Sequence, residues 1–357
     1  MSQPILMKGN EAIAEAAIRA GCRFFAGYPI TPQNEIPEYM SRRLPEVGGA
    51  FVQAESEVAA INMLYGAAGA GARCMTSSSS PGISLKQEGI SYMAGSELPG
   101  LIVNIVRGGP GLGTIQPAQS DYFQATKGGG HGDYRLVVYG PDTLQEAVDM
   151  VFEAFRVSDA YRNPVMILGD GVLGQMMEPV RFPPEDADVH KVEKPWATTG
   201  AGDGDTRLIC SIHLEAEELN AHNMHLHEKY QAIKENETLY EEVEMEDAQL
   251  CLVAYGTTSR ICRAVIEQCR SEGMKVGMIR PITLWPFPDK PISEAAKKVD
   301  AFLAVEMSLG QMVEDVRLAV NGRVPVGFFG RTGGLIPTPD EIVAALKRLV
   351  EEEGVTS

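Results

Sequence analysis

The stretch Gly27-Tyr28-Pro29-Ile30-Thr31-Pro32 decides how the first half of the chain is interpreted. It follows a short apolar run at Arg23–Ala26 and precedes a helical segment at Asn34–Arg43, which places it at the carboxyl end of a strand. Open α/β sheets bind their ligands at that edge. Two prolines hold the Thr31 hydroxyl in a nearly rigid turn, and Pro32 suits the first turn of the next helix, where an anion is favoured. The alternative is an ordinary strand-to-helix turn with Thr31 as its N-cap.

The pattern of strands and helices around this turn predicts an α/β fold with a doubly wound parallel sheet, followed by a smaller α/β domain. Short apolar strands alternate with helical segments over the first half of the chain, and Leu101–Val106 is apolar throughout, as in a strand buried on both faces. We expect three parts: residues 1–205, in which residues 169–204 form an irregular wrapping segment, an acidic helical linker at 206–247, and the smaller domain at 248–357. The helix of the linker is predicted for Glu215–Glu246.

The net charge of −17 over 357 residues excludes nucleic acid and anionic membrane as partners, because both require a basic surface. The N-terminus lacks the basic start and apolar core that would indicate a signal peptide. No apolar run reaches membrane-spanning length. Six scattered cysteines without a C-x-x-C pair predict buried thiols in a reducing compartment, and they argue against an iron–sulfur cluster on this chain. We therefore expect a cytoplasmic protein.

Two Gly-Asp-Gly triplets, Gly169–Gly171 and Gly202–Gly204, invite comparison with the metal–diphosphate motif of thiamine-diphosphate enzymes. That motif needs an Asn roughly thirty residues downstream, and neither triplet has one in a suitable context. One Asp without a second oxygen ligand is a poor site for a divalent cation. Both triplets are predicted to be turns, and no metal site is predicted.

Histidines give a weaker signal. His213, His222, His225 and His227 lack the i, i+4 spacing of a helical metal site, so solvated or inter-subunit histidines are favoured. His131 lies in a glycine-rich loop, where it is either a lid residue or a loop residue without a role.

Two charged residues stand at predicted strand ends. Glu57 is in the first turn of an apolar, small-residue helix, where a carboxylate is either a dipole partner or a functional group. Arg107 ends the apolar strand Leu101–Val106, so its guanidinium must face a ligand or a carboxylate.

Three motifs in chain order carry a resemblance: Tyr28-Pro29-Ile30-Thr31-Pro32, Gln53-Ala54-Glu55-Ser56-Glu57, and Arg107 after its strand. With Ser80-Pro81-Gly82, Tyr255-Gly256 and Glu306…Gly310-Gln311, they make the chain resemble the alpha subunit of 2-oxoacid:ferredoxin oxidoreductases over nearly its whole length. The stretches at 77–82 and 128–135 look most like the branched-chain (2-oxoisovalerate) members.

The resemblance implies a pyrimidine-binding domain followed by a domain like the transketolase C-terminal domain. Thiamine diphosphate would lie between this chain and a beta subunit that holds the diphosphate and Mg²⁺. Gamma and ferredoxin-like subunits would carry the iron–sulfur clusters, in a hetero-oligomer that is a dimer of the assembled unit. The implied reaction is oxidative decarboxylation of a 2-oxoacid with coenzyme A, which yields acyl-CoA, CO₂ and reduced ferredoxin.

The resemblance also assigns residues. Glu57 matches the carboxylate that bonds a pyrimidine ring nitrogen of the cofactor, where a shared proton favours the imino tautomer. Thr31 and Arg107 match the positions that bind the substrate carboxylate. Tyr28, Pro29 and Ile30 are expected to line the cofactor.

Two alternatives stay open from the sequence. One keeps the fold and changes the substrate to 2-oxoglutarate or pyruvate, although Arg107 is the one strong cation in the matched first-domain motifs and a distal carboxylate would need another. The second is a non-catalytic scaffolding subunit that docks through the acidic bridging helix.

Overall fold

A computed structural model describes residues 3–183, 192–200, 202, 204 and 206–354. Within them the chain builds a seven-stranded sheet, a five-stranded sheet and a two-stranded ribbon. The strands are β1 Ile5–Lys8, β2 Phe24–Gly27, β3 Ala50–Gln53, β4 Cys74–Ser78, β5 Gly100–Val106, β6 Val137–Tyr139, β7 Pro164–Asp170, β8 Met177–Val180, β9 Tyr240–Val243, β10 Leu250–Val253, β11 Val276–Pro281, β12 Thr283–Trp285, β13 Ala301–Glu306 and β14 Val326–Gly330.

The helices lie between these strands and cover the sheets. They are α1 Gly9–Arg19, α2 Glu35–Glu46, α3 Glu57–Gly69, α4 Ser80–Gly95, α5 Tyr122–Thr126, α6 Leu144–Tyr161, α7 Gly171–Gln175, α8 Ala216–Asn236, α9 Gly256–Ser271, α10 Asp289–Ala295, α11 Met312–Val320 and α12 Pro339–Glu353.

The first sheet has the strand order β12-β6-β7-β5-β4-β2-β3, and every pairing from β6 to β3 is parallel. All seven residues of its central strand β5 are buried, because helices cover both faces of the sheet. One apolar cluster packs α1, α2 and α6 against one face, and a second packs α3 and α4 against the other. The predicted α/β class and doubly wound parallel sheet are therefore confirmed.

The second sheet has the order β14-β13-β10-β11-β9. Its four strands β10, β11, β13 and β14 are parallel, and β9 joins the edge antiparallel to β11. The helix predicted for Glu215–Glu246 is thus wrong beyond Asn236: α8 ends there, and the acidic residues after it form the edge strand β9. Edge strands tolerate charge because one side of their backbone faces solvent.

The wrapping segment at 169–204 is also more regular than expected. After β7 it forms the short helix α7 and then β8, which pairs antiparallel with β1. Part of this segment, 184–191 with 201 and 203, lies outside the described residues. The division of the chain at 205/206 and 247/248 stays a prediction.

One strand from beyond the predicted boundary, β12, belongs to the first sheet. β12 follows β11 of the second sheet directly, yet it pairs antiparallel with β6 at the edge of the first. Just before it, the buried Arg280 donates to Glu146 at the start of α6 (2.6 Å) and to Glu241 of β9 (2.8 Å). One guanidinium therefore joins both sheets beside the crossing strand.

No helix in the described residues is both long and apolar enough to cross a membrane. Five of the six cysteines are buried and none is in a disulfide. Burial raises the pKa of the Cys22 thiol to about 12, so this side chain is an unreactive core residue.

Candidate active site

The carboxyl ends of β2, β4, β5 and β7 meet at one edge of the first sheet, and α3 begins beside them after β3. The turn at Tyr28–Pro32 follows the end of β2, the serines at 77–80 lie at the end of β4, and Arg107 follows β5. These stretches, together with Glu57 at the start of α3, thus lie at the edge where parallel sheets bind ligands.

The Tyr28–Pro32 turn is held by Gln33, which is fully buried. Gln33 donates through Nε2 to the Tyr28 carbonyl (3.5 Å), and its Oε1 accepts from Ser77 Oγ at the end of β4 (2.5 Å). Its backbone N–H donates to the Ile30 carbonyl (3.1 Å). A single side chain therefore fixes the turn to the neighbouring strand.

The prediction that Pro32 occupies the first turn of the next helix is wrong, because α2 begins three residues later, at Glu35. The Thr31 hydroxyl instead accepts from Asn34 Nδ2 (3.4 Å), the residue that precedes the helix. Tyr28 and Pro29 are exposed, and Ile30 and Thr31 are half-buried. The turn presents these side chains outward at the sheet edge.

Arg107 and Thr31 are brought together. The guanidinium donates through Nη1 to the Thr31 carbonyl (2.9 Å) and through Nη2 to the Leu112 carbonyl (3.3 Å). Arg107 is 8% exposed, and its buried Nε has no hydrogen-bond partner in the described part of the chain. A guanidinium has five N–H donors, so this one retains donors for an anion.

Glu57 is the first residue of α3, whose N-cap Ser56 accepts from the backbone N–H of Ala59 (3.2 Å). It is 6% exposed, and among the described residues no group donates a hydrogen bond to its carboxylate. This carboxylate therefore retains its capacity to accept hydrogen bonds from a group outside the chain.

Gly82 explains how Glu57 fits at this position. A Cβ at residue 82 would lie 2.7 Å from Glu57 Oε1 and 2.1 Å from Ser78 Oγ. The hydroxyls of Ser78 and Ser79 are buried without a hydrogen-bond partner in the described residues. The glycine therefore leaves a small polar recess at the start of α4, which closely follows the end of β4.

A cavity of about 500 Å³ opens beside the Thr31 turn. Its wall includes Thr31, Glu35, Pro117, Gly171 and Ile336, and within the described ranges no Lys or Arg side chain lines it. Glu35 also receives hydrogen bonds from Asn10 and Lys8, and these hold its pKa below the usual range in spite of partial burial. The cavity thus combines apolar and uncharged polar side chains with one ionised carboxylate.

The first Gly-Asp-Gly triplet has a structural role, but it is not the predicted turn, because it joins the end of β7 directly to the start of α7. Asp170 ends β7 and accepts from the backbone N–H groups of Val172 (2.8 Å) and Leu173 (3.2 Å), which caps α7. Burial raises the pKa of Asp170, a further disadvantage for a metal ligand. Of the second triplet, residue 203 lies outside the described residues.

The histidines lie away from this edge. His131 packs edge-on against Tyr92 (5.8 Å between ring centroids), and its carbonyl accepts from Ser91 near the end of α4. His213 stacks on His222 (4.8 Å), whose Nε2 contacts the Gly95 carbonyl (2.7 Å). Across the described residues no group of His, Cys, Asp and Glu is arranged to hold a metal ion.

Two buried polar residues at this edge were missed from the sequence: Gln33, which anchors the turn, and Lys86, one helical turn after Gly82. The sequence contained a signal for Lys86. A lysine on an otherwise apolar, small-residue face of a helix is predicted to be buried, which is unusual for a charged side chain.

Two family models match the chain. "Pyruvate flavodoxin/ferredoxin oxidoreductase, thiamine diP-bdg" matches residues 15–247, and "Pyruvate:ferredoxin oxidoreductase core domain II" matches residues 248–342. The chain therefore belongs to the 2-oxoacid:ferredoxin oxidoreductase family, as an alpha-type subunit.

Curated relatives agree with this assignment. The chain is 50% identical to a ketoisovalerate oxidoreductase subunit VorB of Methanothermobacter marburgensis, over 97% of this chain and 98% of the relative. It is 37% identical to a 2-oxoglutarate synthase subunit KorA of the same organism, over 96% of this chain and 98% of the relative.

A solved structure of a 2-oxoglutarate:ferredoxin oxidoreductase from Magnetococcus marinus, with 2-oxoglutarate, coenzyme A and succinyl-CoA bound, matches with a TM-score of 0.87 and 26% identity. The match covers 97% of this chain and 65% of that chain, so the present chain spans about two thirds of its length. A split-gene transketolase matches at a TM-score of 0.61 and 14% identity, which shows the shared fold alone. The predicted family is confirmed.

Proposed function

We propose that this chain supplies half of the active site of a thiamine-diphosphate-dependent oxidoreductase that acts on branched-chain 2-oxoacids. The reaction would convert the 2-oxoacid and coenzyme A to acyl-CoA and CO₂ and reduce ferredoxin. A beta subunit would complete the site with the diphosphate and Mg²⁺. Gamma and ferredoxin-like subunits would carry the iron–sulfur clusters in a cytoplasmic hetero-oligomer, a dimer of the assembled unit.

One observation carries the proposal: the nearly buried Glu57 carboxylate has no donor from the described chain and faces a recess that only glycine at position 82 leaves open. The unpartnered hydroxyl of Ser78 also borders the recess. These groups fit the polar edge of an aminopyrimidine ring, which offers both donors and acceptors. The residues present therefore fit the pyrimidine half of thiamine diphosphate.

The cofactor, when bound, supplies a thiazolium carbon that attacks the ketone of the 2-oxoacid and accepts the electrons released by decarboxylation. Glu57 would hold a proton against the ring nitrogen and so set which tautomer of the pyrimidine is present. Tyr28, Pro29 and Ile30, turned outward at the sheet edge, would contact the cofactor where the beta subunit closes over it.

Thr31 and Arg107 would orient the substrate carboxylate. The Arg107 guanidinium already spans from the Thr31 carbonyl to the Leu112 carbonyl, so its plane is fixed before a ligand arrives. Its remaining N–H donors and the Thr31 hydroxyl match the two oxygens of a carboxylate. Fixed donors of this kind lower the entropic cost of placing the ketone for attack.

The cavity beside Thr31 favours a branched apolar side chain over a dicarboxylate. Its described wall has apolar residues such as Pro117 and Ile336, no cation, and the ionised Glu35. A distal carboxylate of 2-oxoglutarate would find no cation on this wall, because Lys8 is paired with Glu35 (3.3 Å) and does not line the cavity. The higher identity to the ketoisovalerate relative than to the 2-oxoglutarate relative points the same way.

The test is to express the chain alone and together with the products of neighbouring genes. We expect thiamine diphosphate, detected by mass spectrometry, in the assembled complex and not in the isolated chain. Ferredoxin reduction is then measured with 3-methyl-2-oxobutanoate, pyruvate and 2-oxoglutarate, each with coenzyme A. The highest kcat/KM should belong to the branched substrate. A preference for 2-oxoglutarate would overturn the substrate, and a complex that lacks thiamine diphosphate would favour a scaffolding subunit.

A further inference from the structure

A lysine without a role in the proposed reaction lies below the recess beside Glu57. Lys86 is 0% exposed, and it lies on α4 one turn after Gly82. Lysines are almost never fully buried unless they are paired with a carboxylate. Among the described residues Lys86 is in no ion pair within hydrogen-bonding distance, so its burial calls for another explanation.

The packing of two helices places Lys86 beneath Glu57. On α4, Gly82, Lys86 and Gly89 share one face, and on α3, Glu57 and Ile61 share the facing one. A Cβ at Gly82 would collide with Glu57, and a Cβ at Gly89 would lie 2.5 Å from Ile61 Cγ2, so the helices approach closely along this line. Long side chains on a helix lean toward its N-terminus, which directs Lys86 toward the recess.

The hydrogen bonds of β4 hold the lysine head in place. Lys86 Nζ donates to Thr76 Oγ1 (2.7 Å), and that hydroxyl donates to the Ala26 carbonyl (2.7 Å). Since the Thr76 proton is committed to Ala26, Thr76 serves the lysine only as an acceptor. Thr76 and Ser78 lie on the same side of β4, because side chains two residues apart in a strand point the same way. The ammonium group of Lys86 at Thr76 is therefore close to Ser78, which borders the recess.

Glu57 is the charged group that acts on Lys86 in this structure. Burial lowers the pKa of Lys86 to about 7, and the Glu57 carboxylate opposes that shift. The strands β2 and β4 present uncharged groups to it. Glu88, the nearest acid along α4, is bonded instead to Tyr92 on the exposed side of the helix. The lysine can thus gain or lose its proton near neutral pH, and Glu57 is the charged group among the described residues that opposes the loss.

We propose that Lys86 is a positioning residue that sets the proton affinity of Glu57 and, through it, the tautomer balance of the bound pyrimidine. A protonated Lys86 stabilises the Glu57 carboxylate, which weakens its hold on a proton and leaves the proton on the ring nitrogen. A neutral Lys86 removes that bias. No covalent step is involved, and the lysine touches neither cofactor nor substrate. The inference rests on the proposed function.

The test compares two buried lysines in the assembled complex. Lys86→Met keeps the length of the side chain and removes its charge. Lys229→Met is the matched control. The Lys229 side chain is also nearly buried, at 8% exposed, but it is ion-paired with Glu97 (3.2 Å). Lys229 lies on α8, away from the recess. The readout is the pH midpoint of the iminopyrimidine band in near-ultraviolet circular dichroism, together with hydrogen–deuterium exchange at the thiazolium carbon.

Lys86→Met should raise the pH midpoint, because loss of an adjacent cation disfavours an ionised carboxylate. Exchange at the thiazolium carbon should change with it, while cofactor content stays at the wild-type level. Lys229→Met should leave both midpoint and exchange unchanged. If Lys86→Met does not assemble, Thr76→Val is the second variant. It removes the hydroxyl that accepts from the Lys86 ammonium group, which makes the protonated lysine less stable. The pH midpoint should therefore move in the same direction by a smaller amount.

An unchanged midpoint in both Lys86→Met and Thr76→Val would overturn the inference, even if turnover fell, because a merely structural lysine would behave in that way. Failure of the proposed function has a different signature, since a wild-type complex without bound thiamine diphosphate would give no tautomer band in any variant. That result would overturn both proposals, whereas an altered substrate preference would leave the role of Lys86 intact.

Discussion

The carboxyl edges of the two sheets each contain a nearly or fully buried glutamate, and the fold treats the two in opposite ways. Glu306 ends β13 and is 0% exposed. Its carboxylate accepts from Ser308 Oγ (2.9 Å) and from the backbone N–H groups of Gln311 (3.0 Å), Met312 (3.0 Å) and Val313 (2.9 Å). Glu57 occupies a similar place in the first sheet with no donor from the described chain.

We propose that this difference separates a structural carboxylate, Glu306, from a functional one, Glu57. The four donors around Glu306 offset the cost of burying its charge and fix the start of α11. The recess around Glu57 offers open space instead, so its carboxylate keeps its acceptor capacity for another group. Burial alone therefore identifies neither role, and the count of hydrogen-bond donors distinguishes them.

The sharpest way to break the comparison is the same substitution at both glutamates. Glu57→Gln should lower turnover of the assembled complex by at least about 100-fold, because a proton-holding group is lost, while the melting temperature stays within error of wild type. Steady-state ferredoxin reduction and calorimetry measure the two quantities. Glu55→Gln, an exposed neighbour, is the control and should behave like wild type. Near-normal turnover in Glu57→Gln would contradict the assignment.

Glu306→Gln should show the reverse pattern. The amide can accept through one oxygen and places an NH₂ group against backbone N–H donors, so about 3 kcal/mol of folding stability should be lost. Chemical denaturation of the isolated chain measures this loss. The kcat/KM per folded complex should stay at the wild-type level, and a large fall in kcat/KM without destabilisation would place Glu306 in the reaction.

A smaller effect is expected at the turn. Thr31→Val keeps the shape of the side chain and the carbonyl that binds Arg107, but it removes one hydroxyl from the substrate carboxylate. Loss of one hydrogen bond of about 1.4 kcal/mol corresponds to a roughly tenfold higher KM for the 2-oxoacid. Thiamine-diphosphate content should not change. Thr238→Val at the end of α8 is the control, and an unchanged KM in Thr31→Val would remove Thr31 from the substrate site.

The smallest effect is expected at His131. Its ring packs against Tyr92 toward the far end of α4, so His131→Ala should change kcat and KM by less than about twofold, as exposed positions usually do. Turnover measured over a range of substrate concentrations is the check. A large fall in kcat would restore the interpretation of this loop as a lid.

The parts of the fold that the sequence predicts well are those with strong local patterns. The apolar run of β5 and the small-residue face of α3 are visible from residue types alone. β9 and β12 are not, because Tyr240–Val243 is half charged and Thr283–Trp285 is three residues long. Their strand character comes from partners far away in the chain, Met278–Pro281 and Val138–Tyr139.

The site divides in a similar way. Glu57, Thr31 and Arg107 could be selected because each stands at the end of a strand pattern, where the topology of a parallel sheet brings ends together. Gln33 could not, since its importance depends on Ser77 of another strand. Lys86 stands out as a lysine on an apolar helix face, but its role depends on Thr76 of β4. A buried polar residue acquires its role from the element that packs against it.

The crossing of β12 has a consequence for how the chain melts and how it can be cut. The strand that closes the first sheet is encoded after three strands of the second, and the Arg280 guanidinium binds groups on both sides of the junction. A fragment that ends at residue 247 would lose the edge partner of β6 and expose an apolar strand. Heat should therefore unfold both sheets in a single calorimetric transition, and recombination between relatives should preserve function only where it transfers residues 137–139 and 280–285 together.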